Sequence, residues 1–572
     1  MAKRRSRTKR KTIGTEAEAP DWLVAGQIAL GCLLLYSMTL WFGFSPLDDF
    51  DLIARRLEDL GNWANLGDSF TNSIFTKAYY RPLLTLSFRF DAIVGGGSTA
   101  MFHFTNVVLH GVCMGLLYAA LVSFGLSRKA ALLWTALAAA HPIHVHAVAW
   151  IPGRNDTMQA ALALGLWLTL NHWRNKGHDA WLVPHFILFV LALLTKESAI
   201  LLPFLLLAAD WLVHRDKQPL PYVKLVVGWT VLIVLWLRMR GAYATDPNFQ
   251  WELLDKMQLI LATLEAFTVY IGKYFLPFNL GIMPYPQDQT LIFGMIAIVV
   301  LALLLWRCGV RNWLVVGFGV IWVGGTLLLP TVSGALGTTT GGDMEHRMYL
   351  GTLGMILILT QLKLPETISE KLVPQVAVGV AVSFTILSLV RMPVYRTQLS
   401  FADSAVQTSP GTYFTYLIRG RVHRREGRRE EALGDFEKAV SLSKGSASIY
   451  LSMGLLHTEM KQLDKAMDVY TRGIQADARQ QGDHIVHSLN GCRLALNRGS
   501  LHFQAGDYDK AFADYQLVVS SWQDCGPAWF GMGLVHQMRK EDAKALKLYR
   551  HAAALGDESA QKKLASMRIV PK

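Results

Sequence analysis

A 34-residue repeat near the end of the chain constrains its fold more than any other sequence feature. Gly420 is followed 34 positions later by Gly454, and Gly499 is followed at the same spacing by Gly533. Each glycine has an alanine twelve residues after it and an aromatic residue sixteen residues after it. Small residues let two antiparallel helices approach closely, and the aromatic ring fills the space between them. The pattern therefore predicts a stack of helix pairs.

The period and the residue types are typical of tetratricopeptide repeats. The step from the second glycine to the third is 45 residues instead of 34, so we expect eleven extra residues to form a loop around Gln480–Asn490. We place a tetratricopeptide domain at residues 396–572, with four repeats at about 413–445, 446–479, 492–525 and 526–559.

The sequence before the repeats is dominated by apolar stretches. Over the whole chain 52% of residues are hydrophobic, but the apolar runs lie between Trp22 and Arg391. Their lengths suit a hydrocarbon core of about 30 Å. The sequence thus predicts an all-α protein, with a polytopic membrane bundle of about eleven spans at residues 22–395 and a helical solenoid after it.

A basic N-terminal tail indicates how the bundle lies in the membrane. Seven of the first eleven residues are basic and none is acidic. A nucleic-acid-binding tail is the competing interpretation, but basic residues before a first span usually stay in the cytoplasm, so we predict a cytoplasmic tail at residues 1–21 and no nucleic-acid partner. Basic residues in alternate short loops agree with this orientation if Leu259–Leu280 does not cross the membrane but is interfacial or re-entrant. The external loop 45–103 and the repeats then lie on the other side, whereas a crossing by Leu259–Leu280 would place the repeats inside.

Two adjacent carboxylates, Asp48 and Asp49, come directly after the first span. They can simply mark the water boundary, or one of them can take a proton from an attacking hydroxyl. They can also hold a divalent cation together with phosphate oxygens, and the sequence leaves this cofactor open. Further along the loop, Tyr80 and Arg81 offer a phosphate clamp or a snorkelling arginine at the membrane surface.

Further polar residues interrupt apolar segments on the predicted external side. One helix face carries His103, Asn106 and His110. This face either lines a cavity in the bundle or forms hydrogen bonds to neighbouring helices. The segment His141-Pro142-Ile143-His144-Val145-His146 invites a zinc interpretation, although a proline breaks the helical spacing and packing or proton handling are alternatives. Other candidates are Arg154, the Lys196-Glu197 pair, Glu345 and Arg347.

In this order the motifs resemble the transmembrane and tetratricopeptide family of protein O-mannosyltransferases and its bacterial relatives, which have the GT-C glycosyltransferase fold. The resemblance covers most of the chain, and its motifs are specific only in combination. Relatives often have glutamate where this chain has His146, which weakens a metal site there. The matching motifs are Asp48-Asp49, Tyr80-Arg81-Pro82-Leu83, His103 with Asn106 and His110, His141 to His144 with Gly153 to Asp156, Lys196-Glu197, and Glu345 to Tyr349.

The resemblance implies inverting transfer of a sugar from a polyprenyl-phosphate-linked donor to Ser/Thr hydroxyls of a protein on the external membrane face. It implies that Asp48, or with less support Asp49, is the catalytic base. The repeats would dock the protein or peptide acceptor, and membrane lipids would surround the bundle. The remaining roles implied are donor-phosphate binding by Arg81, Arg154 and Arg347, and substrate binding by Tyr80, His103, His144, Lys196, Glu197 and Glu345. Apart from the resemblance, the residue types alone leave a weak metal option at Asp49, His144 and His146.

Two other functions fit the same sequence. The acceptor can be a lipid or glycan, although such an acceptor needs no peptide-docking arm. The chain can also be a membrane-anchored scaffold without enzymatic activity, in which case replacement of Asp48 or Arg81 should be tolerated. The expected location is a bacterial inner membrane, with the repeats in the periplasm.

Overall fold

The computed structural model describes residues 19–72, 79–214, 222–243, 256–278, 280–285, 288, 290–335, 344–365, 371–443, 445–481 and 484–567. The chain divides into two compact units, Met1–Ser409 and Pro410–Lys572. The predicted start of the repeat domain was residue 396, whereas the helix at Gln398–Thr408 lies in the first unit. Both units are helical, as the sequence predicts, and among the described residues the only β-strands are the two of one short hairpin.

The first unit contains helices α1 to α18, several of them single turns that shape loops. Three 3-10 turns, Pro142–His144, Glu197–Leu201 and Glu345–Met348, carry candidate site residues. The helices are α1 Trp22–Tyr36, α2 Asp48–Leu52, α3 Leu57–Leu60, α4 Asp68–Thr71, α5 Pro82–Val94, α6 Thr99–Ser123, α7 Arg128–Ala140, α8 Val145–Ala149, α9 Arg154–Lys176, α10 Leu182–Thr195, α11 Leu202–His214, α12 Val223–Tyr243, α13 Lys256–Phe275, α14 Ile292–Cys308, α15 Trp313–Ala335, α16 Thr352–Leu359, α17 Val373–Arg391 and α18 Gln398–Thr408.

Five helical segments of the described chain are long and apolar enough to cross a membrane, and a sixth is added if α7 and Pro142–Ala149, bent by 51°, form one span. Three further apolar helices are shorter. The protein is therefore a membrane protein, and the count of eleven spans stays a prediction. The five segments are Trp22–Trp41, Thr99–Ser123, Glu197–His214, Val223–Tyr243 and Val373–Tyr395.

Helix α6 lies at the centre of the bundle. Of its most apolar window 72% is buried, against 11% for the last span. Small residues bring α1 against it, because a Cβ atom added to Gly111 would lie 3.0 Å from the carbonyl oxygen of Ala29. Outward-facing side chains such as Trp306 and Val390 are more than 70% exposed, which suits contact with lipid.

Most of the segment whose crossing the sequence leaves open, Leu259–Leu280, lies in one continuous helix, α13, which ends at Phe275. Its twenty residues correspond to about 30 Å. It packs against α14 where Gly272 meets Gly294, since a Cβ atom on Gly272 would lie 2.7 Å from the backbone nitrogen of Gly294. The helix carries Lys273 in its last turn.

The second unit contains four antiparallel helix pairs and a final helix. In each pair the repeated glycine faces the repeated aromatic ring: a Cβ atom on Gly454 would lie 2.2 Å from Cε1 of Tyr470. These contacts explain the 34-residue pattern, because they require a residue without a side chain. The helices are α19 Tyr413–Arg425, α20 Arg429–Leu442, α21 Ala447–Glu459, α22 Leu463–Asp477, α23 Leu489–Gln504, α24 Tyr508–Ser521, α25 Gly526–Met538, α26 Asp542–Ala554 and α27 Glu558–Ser566.

The extra residues between the second and third pairs form an antiparallel hairpin where we predicted a loop. Strand β1, Arg479–Gln481, pairs with β2, His484–Val486, and α23 begins three residues later. Asp477 fixes the end of the insertion, because its carboxylate accepts hydrogen bonds from the backbone nitrogen and the hydroxyl of Ser488 at 2.7 and 2.6 Å.

Candidate active site

The two adjacent carboxylates after the first span lie in different environments. Asp49 is 1% exposed, and its Oδ2 accepts a hydrogen bond from the backbone nitrogen of Ser45 at 2.8 Å. Asp48, the first residue of α2, is exposed. Only Asp48 therefore presents its carboxylate to a molecule that arrives from outside the protein.

Both carboxyl groups hold their protons more tightly than ordinary aspartates. The side chain of Asp48 reaches solvent but is surrounded by protein at longer range, and this desolvation, with the charge of Asp51 added, raises its pKa to about 6 against the opposing effect of Arg81. Burial raises the pKa of Asp49 to about 7, although hydrogen bonds from Ser45 oppose the shift. Asp48 is thus suited to accept a proton near neutral pH.

Arg81 lies close enough to Asp48 to influence its charge, and Glu197 holds it in place. Nε and Nη2 of Arg81 donate to Oε2 of Glu197 at 3.0 and 2.8 Å. The other oxygen, Oε1, accepts from the backbone nitrogen of Tyr80 at 3.2 Å. The side chain of Arg81 is 11% exposed, so its edge can meet an anion.

A second cation lies beside this pair. Nζ of Lys196 donates to Oδ1 of Asp156 at 2.7 Å, and Nε2 of His346 lies 3.8 Å from the other Asp156 oxygen. Arg347 lies within electrostatic range of Lys196 and is half-buried. We call Arg81, Lys196, Arg347, Glu197 and Asp156 the cationic cluster. Its three cations exceed its two carboxylates by one charge, an arrangement that suits a phosphate.

Arg154, the third predicted phosphate ligand, lies outside the cationic cluster. Its side chain is fully buried, with Nη2 2.5 Å from Oδ2 of Asp91 and 2.7 Å from the carbonyl oxygen of Phe102. Nε donates to Oδ1 of Asn106 at 2.6 Å, and Nη1 donates to the hydroxyl of Ser87 at 3.1 Å. The guanidinium is occupied by protein groups and joins α5, α6 and α9.

Glu345 is also fully buried. Its Oε1 accepts from Nζ of Lys273 at 3.0 Å and from the backbone nitrogen of Gly281 at 2.9 Å. Its Oε2 accepts from Nη2 of Arg391 at 3.0 Å and from Nδ1 of His146 at 3.2 Å. Burial alone would raise the pKa of Glu345, but Lys273, Arg391 and His146 outweigh it and hold that pKa well below its usual range.

The remaining candidates lie in the interior of the bundle. Nε2 of His103 lies 3.5 Å from the carbonyl oxygen of Gly43, and Nε2 of His144 lies 3.3 Å from the hydroxyl of Thr352. The ring of Tyr80 stacks on that of Tyr243 with centroids 6.3 Å apart. These contacts are of the kind that fix helices to one another.

The three weak metal candidates do not converge. Asp49 is engaged by Ser45, His144 faces Thr352, and His146 donates to Glu345. Within the described ranges no group of three or more His, Cys, Asp or Glu side chains has the arrangement of a metal site.

The repeat unit has a groove of about 390 Å³ between the second helices of its last two pairs. The Trp529 indole is held at its edge, because Nε1 donates to the carbonyl oxygen of Gln523 at 2.7 Å and the ring lies against His551. Exposed amide and carboxylate groups complete the lining, which consists of Gln516, Val519, Ser520, Gln523, Asp524, Trp529 and His551.

Sequence reasoning missed four residues that hold these arrangements together: Asp91, Asp156, Lys273 and Arg391. Asp156 was visible inside the motif with Arg154, but its contact with Lys196 spans 40 positions. Lys273 and Arg391 are charged residues in helices that are otherwise largely apolar. A charged residue in an apolar helix of a membrane protein indicates a buried partner of opposite charge, and this indication was available from the sequence.

Comparison with known proteins shows what the chain resembles. A tetratricopeptide repeat model matches residues 447–480, which contain both helices of the second pair, α21 and α22. Protein O-mannosyl-transferase Tmtc2 of Drosophila melanogaster is 32% identical over 287 residues, which are 46% of this chain and 30% of the fly protein. The chain resembles the TMTC proteins.

A second TMTC protein, protein O-mannosyl-transferase TMTC4 of Mus musculus, is 30% identical over 213 residues, which are 32% of this chain and 28% of the mouse protein. The chain thus aligns with less than a third of the length of each of these TMTC relatives. A crystal structure of MamA aligns with 29% of this chain and 90% of its own length, at 19% identity and a TM-score of 0.24.

Proposed function

We propose that this protein is an integral-membrane glycosyltransferase that moves a sugar from a polyprenyl-phosphate-linked donor to Ser/Thr hydroxyls of a protein acceptor. The observation that carries the proposal is an exposed carboxylate, Asp48, within electrostatic range of Arg81 in the cationic cluster. A general base beside a phosphate-binding site is what glycosyl transfer from a sugar phosphate requires. The TMTC relatives carry the name of the same reaction class.

The proposed reaction is a single inverting displacement. The acceptor oxygen attacks the anomeric carbon on the face opposite the phosphate, and the bond between that carbon and the phosphate oxygen breaks. Asp48 takes the hydroxyl proton as the new bond forms and later releases it to water. The polyprenyl phosphate leaves with the bonding electron pair, and Arg81, Lys196 and Arg347 stabilise its negative charge.

The structure supports different roles for the other candidates of the site. Asp49 holds the turn at Ser45 and so orients Asp48. Glu197 and Asp156 orient Arg81 and Lys196, which are the cations of the phosphate site. Tyr80 contributes its backbone nitrogen to this arrangement. Arg154 joins α5, α6 and α9, and in this proposal it stabilises the fold and does not bind the donor phosphate.

The lipid tail of the donor sets the depth of the reaction. A polyprenyl chain stays in the hydrocarbon, so its phosphate must lie at the level of the head groups. Asp48 follows a span that ends at Trp41, and Lys196 directly precedes the span that begins at Glu197. We propose that this is the external side of a bacterial inner membrane, with the basic tail in the cytoplasm and the repeats in the periplasm.

The repeats supply the acceptor interaction in this proposal. Tetratricopeptide solenoids offer extended surfaces for peptides. The groove at Trp529 combines an aromatic ring with exposed amide and carboxylate groups, which is suitable for a polypeptide chain. A lipid acceptor would have no use for this surface.

The test is transfer of radiolabelled sugar from a polyprenyl-phosphate donor to protein in membranes that contain the full chain. We compare Asp48→Asn with Asp51→Asn, a control on the same short helix whose exposed carboxylate pairs with Arg55. Label in protein that disappears only in folded Asp48→Asn supports the proposal. Label in lipid indicates a lipid acceptor, and absence of transfer by the wild type with all donors supports a scaffold.

A further inference from the structure

Glu345 is the centre of a buried ionic cluster that contains Lys273, Arg391 and His146 as its other side chains. Both carboxylate oxygens accept two hydrogen bonds each, at 2.9 to 3.2 Å. The Glu345 side chain is 0% exposed, and those of Lys273 and Arg391 are 7% and 12% exposed. Glu345 therefore has no acceptor capacity left for a substrate.

A cluster of this kind needs a reason other than stability. Buried ion pairs are costly to desolvate, and apolar side chains of similar size often stabilise a protein equally well. Charged groups in membrane proteins usually serve function. The function of this cluster must be sought in what its contacts hold in place.

The cluster holds the segment that brings Arg347 and His346 to the cationic cluster. Glu345 is the first residue of the 3-10 turn Glu345–Met348, in which neighbouring side chains point in directions about 120° apart. When Glu345 is fixed in the interior, the directions of the next two side chains are fixed as well. His346 then reaches Asp156, and Arg347 lies within electrostatic range of Lys196.

Helix α13 holds this turn through two contacts. Lys273 donates to Glu345, and one turn earlier the hydroxyl of Tyr270 donates to the carbonyl oxygen of Met344 at 3.4 Å. From α17, Arg391 donates both to Glu345 and, at 2.6 Å through Nη1, to the carbonyl oxygen of Leu280. Two helices far from Asp48 in sequence thus fix one side of the phosphate site.

We propose that Lys273 and Arg391 are positioning residues, which act through Glu345 to hold Arg347 at the donor phosphate. This inference rests on the proposed function and assigns roles within the same site. It replaces the sequence prediction that Glu345 binds substrate. A loss of either cation should weaken donor binding and leave the chemistry at Asp48 largely intact.

Lys273→Met is the cleanest variant because of the charges in the cluster. Two cations face one carboxylate, so removal of Lys273 leaves Glu345 and Arg391 as a balanced pair. Removal of the Glu345 charge would instead leave two buried cations without a counter-charge and endanger folding. Lys273→Arg keeps the charge and serves as the rescue variant, and exposed Lys224→Met is a control matched in residue type.

The experiment measures initial rates against donor concentration for the purified full chain in lipid nanodiscs, with the unfolding midpoint recorded in parallel. We expect Lys273→Met to raise the donor KM about tenfold and to change kcat less than about threefold, while Lys273→Arg and Lys224→Met stay near the wild type. Unchanged KM in Lys273→Met, or a loss confined to kcat, would overturn the proposal. If Lys273→Met does not fold, Arg391→Lys takes its place as the test. This variant keeps the positive charge but loses the second donor, which binds the carbonyl oxygen of Leu280, so we expect it to raise the donor KM. An unchanged donor KM in Arg391→Lys would also overturn the proposal.

Binding of farnesyl phosphate to the same proteins separates this inference from the proposed function. A wild type that binds the lipid phosphate but transfers no sugar contradicts the proposed function, and the weaker binding expected for Lys273→Met then tests the positioning role alone. A wild type that transfers sugar, with Lys273→Met equal to it in both measurements, contradicts only the positioning role. A wild type that neither binds the lipid phosphate nor transfers sugar contradicts both.

Discussion

Arg81 and Glu197, 116 positions apart in the sequence, form an ion pair in which Nε and Nη2 of the arginine donate to one carboxylate oxygen at 3.0 and 2.8 Å. The side chain of Glu197 is 22% exposed and that of Arg81 is 11% exposed, so the pair lies at the edge of the interior. Its geometry fixes the direction of the guanidinium, because two donors of one rigid plane share one acceptor.

The Arg81–Glu197 pair leads to a prediction about donor binding. Glu197→Gln keeps the size of the side chain but removes the charge that orients Arg81, so we expect a loss of about 1–2 kcal/mol in kcat/KM, mainly through a higher donor KM. Steady-state kinetics with varied donor measures it. Asp179→Asn, which breaks the exposed pair with Lys224, is the control and should behave as wild type. Equal effects of the two substitutions would contradict the role of Glu197.

The raised pKa of Asp48 predicts the pH dependence of transfer. The base must be deprotonated, so kcat/KM should rise with pH and reach half its maximum near pH 6, the pKa of Asp48. Asp51 raises this pKa, and Asp51→Asn should therefore move the profile to lower pH. Measurement of kcat/KM between about pH 4.5 and about pH 8 tests both expectations, because an aspartate with a raised pKa titrates within this range. A profile that Asp51→Asn leaves in place would argue against Asp48 as the titrating group.

Arg154 predicts an effect on stability. Arg154→Met removes the partner of fully buried Asp91, which leaves an uncompensated carboxylate and should cost about 3–5 kcal/mol. Thermal unfolding in detergent measures the loss. The double variant Arg154→Met/Asp91→Leu should recover part of it, and Arg55→Met, which removes an exposed arginine, should leave the midpoint unchanged. If Arg154→Met is instead as stable as the wild type but binds the donor more weakly, the result would contradict the structural role of Arg154 and support the donor-phosphate binding predicted from the sequence.

The repeats could be predicted from the sequence because their decisive contacts are local. Each glycine meets an aromatic ring sixteen positions away in the same helix pair, so the 34-residue spacing records the packing directly. The hairpin in the insertion could not be predicted in this way. Only three residues pair on each strand, and this length is too short for an alternating pattern.

The candidate site was predictable in its residue types but only partly in its roles. Polar residues in apolar surroundings singled out Asp48, Arg81 and Lys196 as candidates, since such residues rarely occur without a reason. The structure places Arg81 within electrostatic range of both Asp48 and Lys196, and their roles stay a prediction. The same signal could not distinguish Arg154 from Arg81. The groups that engage Arg154 lie 48 to 67 positions away, and no local pattern records them.

The topology predicted from basic residues can be tested independently of activity. An odd number of spans places the C-terminus outside, and this requires that α13 does not cross. We expect an alkaline phosphatase fusion at the C-terminus to be active and a fusion within the first 21 residues to be inactive. An inactive C-terminal fusion with intact protein levels would place the repeats in the cytoplasm and make α13 a span.

The glycine of the second repeat predicts a local stability effect with a matched control in the same unit. Gly454→Ala places a Cβ atom 2.2 Å from Cε1 of Tyr470, so the ring must shift, and the second helix pair should lose about 1–3 kcal/mol. Gly434, inside α20, has no atom within 4 Å of the position of an added Cβ atom. Gly434→Ala should therefore stabilise α20 by about 0.5–1 kcal/mol through the lower entropy of the unfolded chain.

Hydrogen–deuterium exchange on the full chain measures both glycine effects at the helices concerned. Faster exchange in α21 and α22 of Gly454→Ala, with slower exchange in α20 of Gly434→Ala, is the expected result. Equal exchange in Gly454→Ala and wild type would mean that the ring of Tyr470 moves at no cost. The close contact between glycine and aromatic ring would then not be what maintains the 34-residue period.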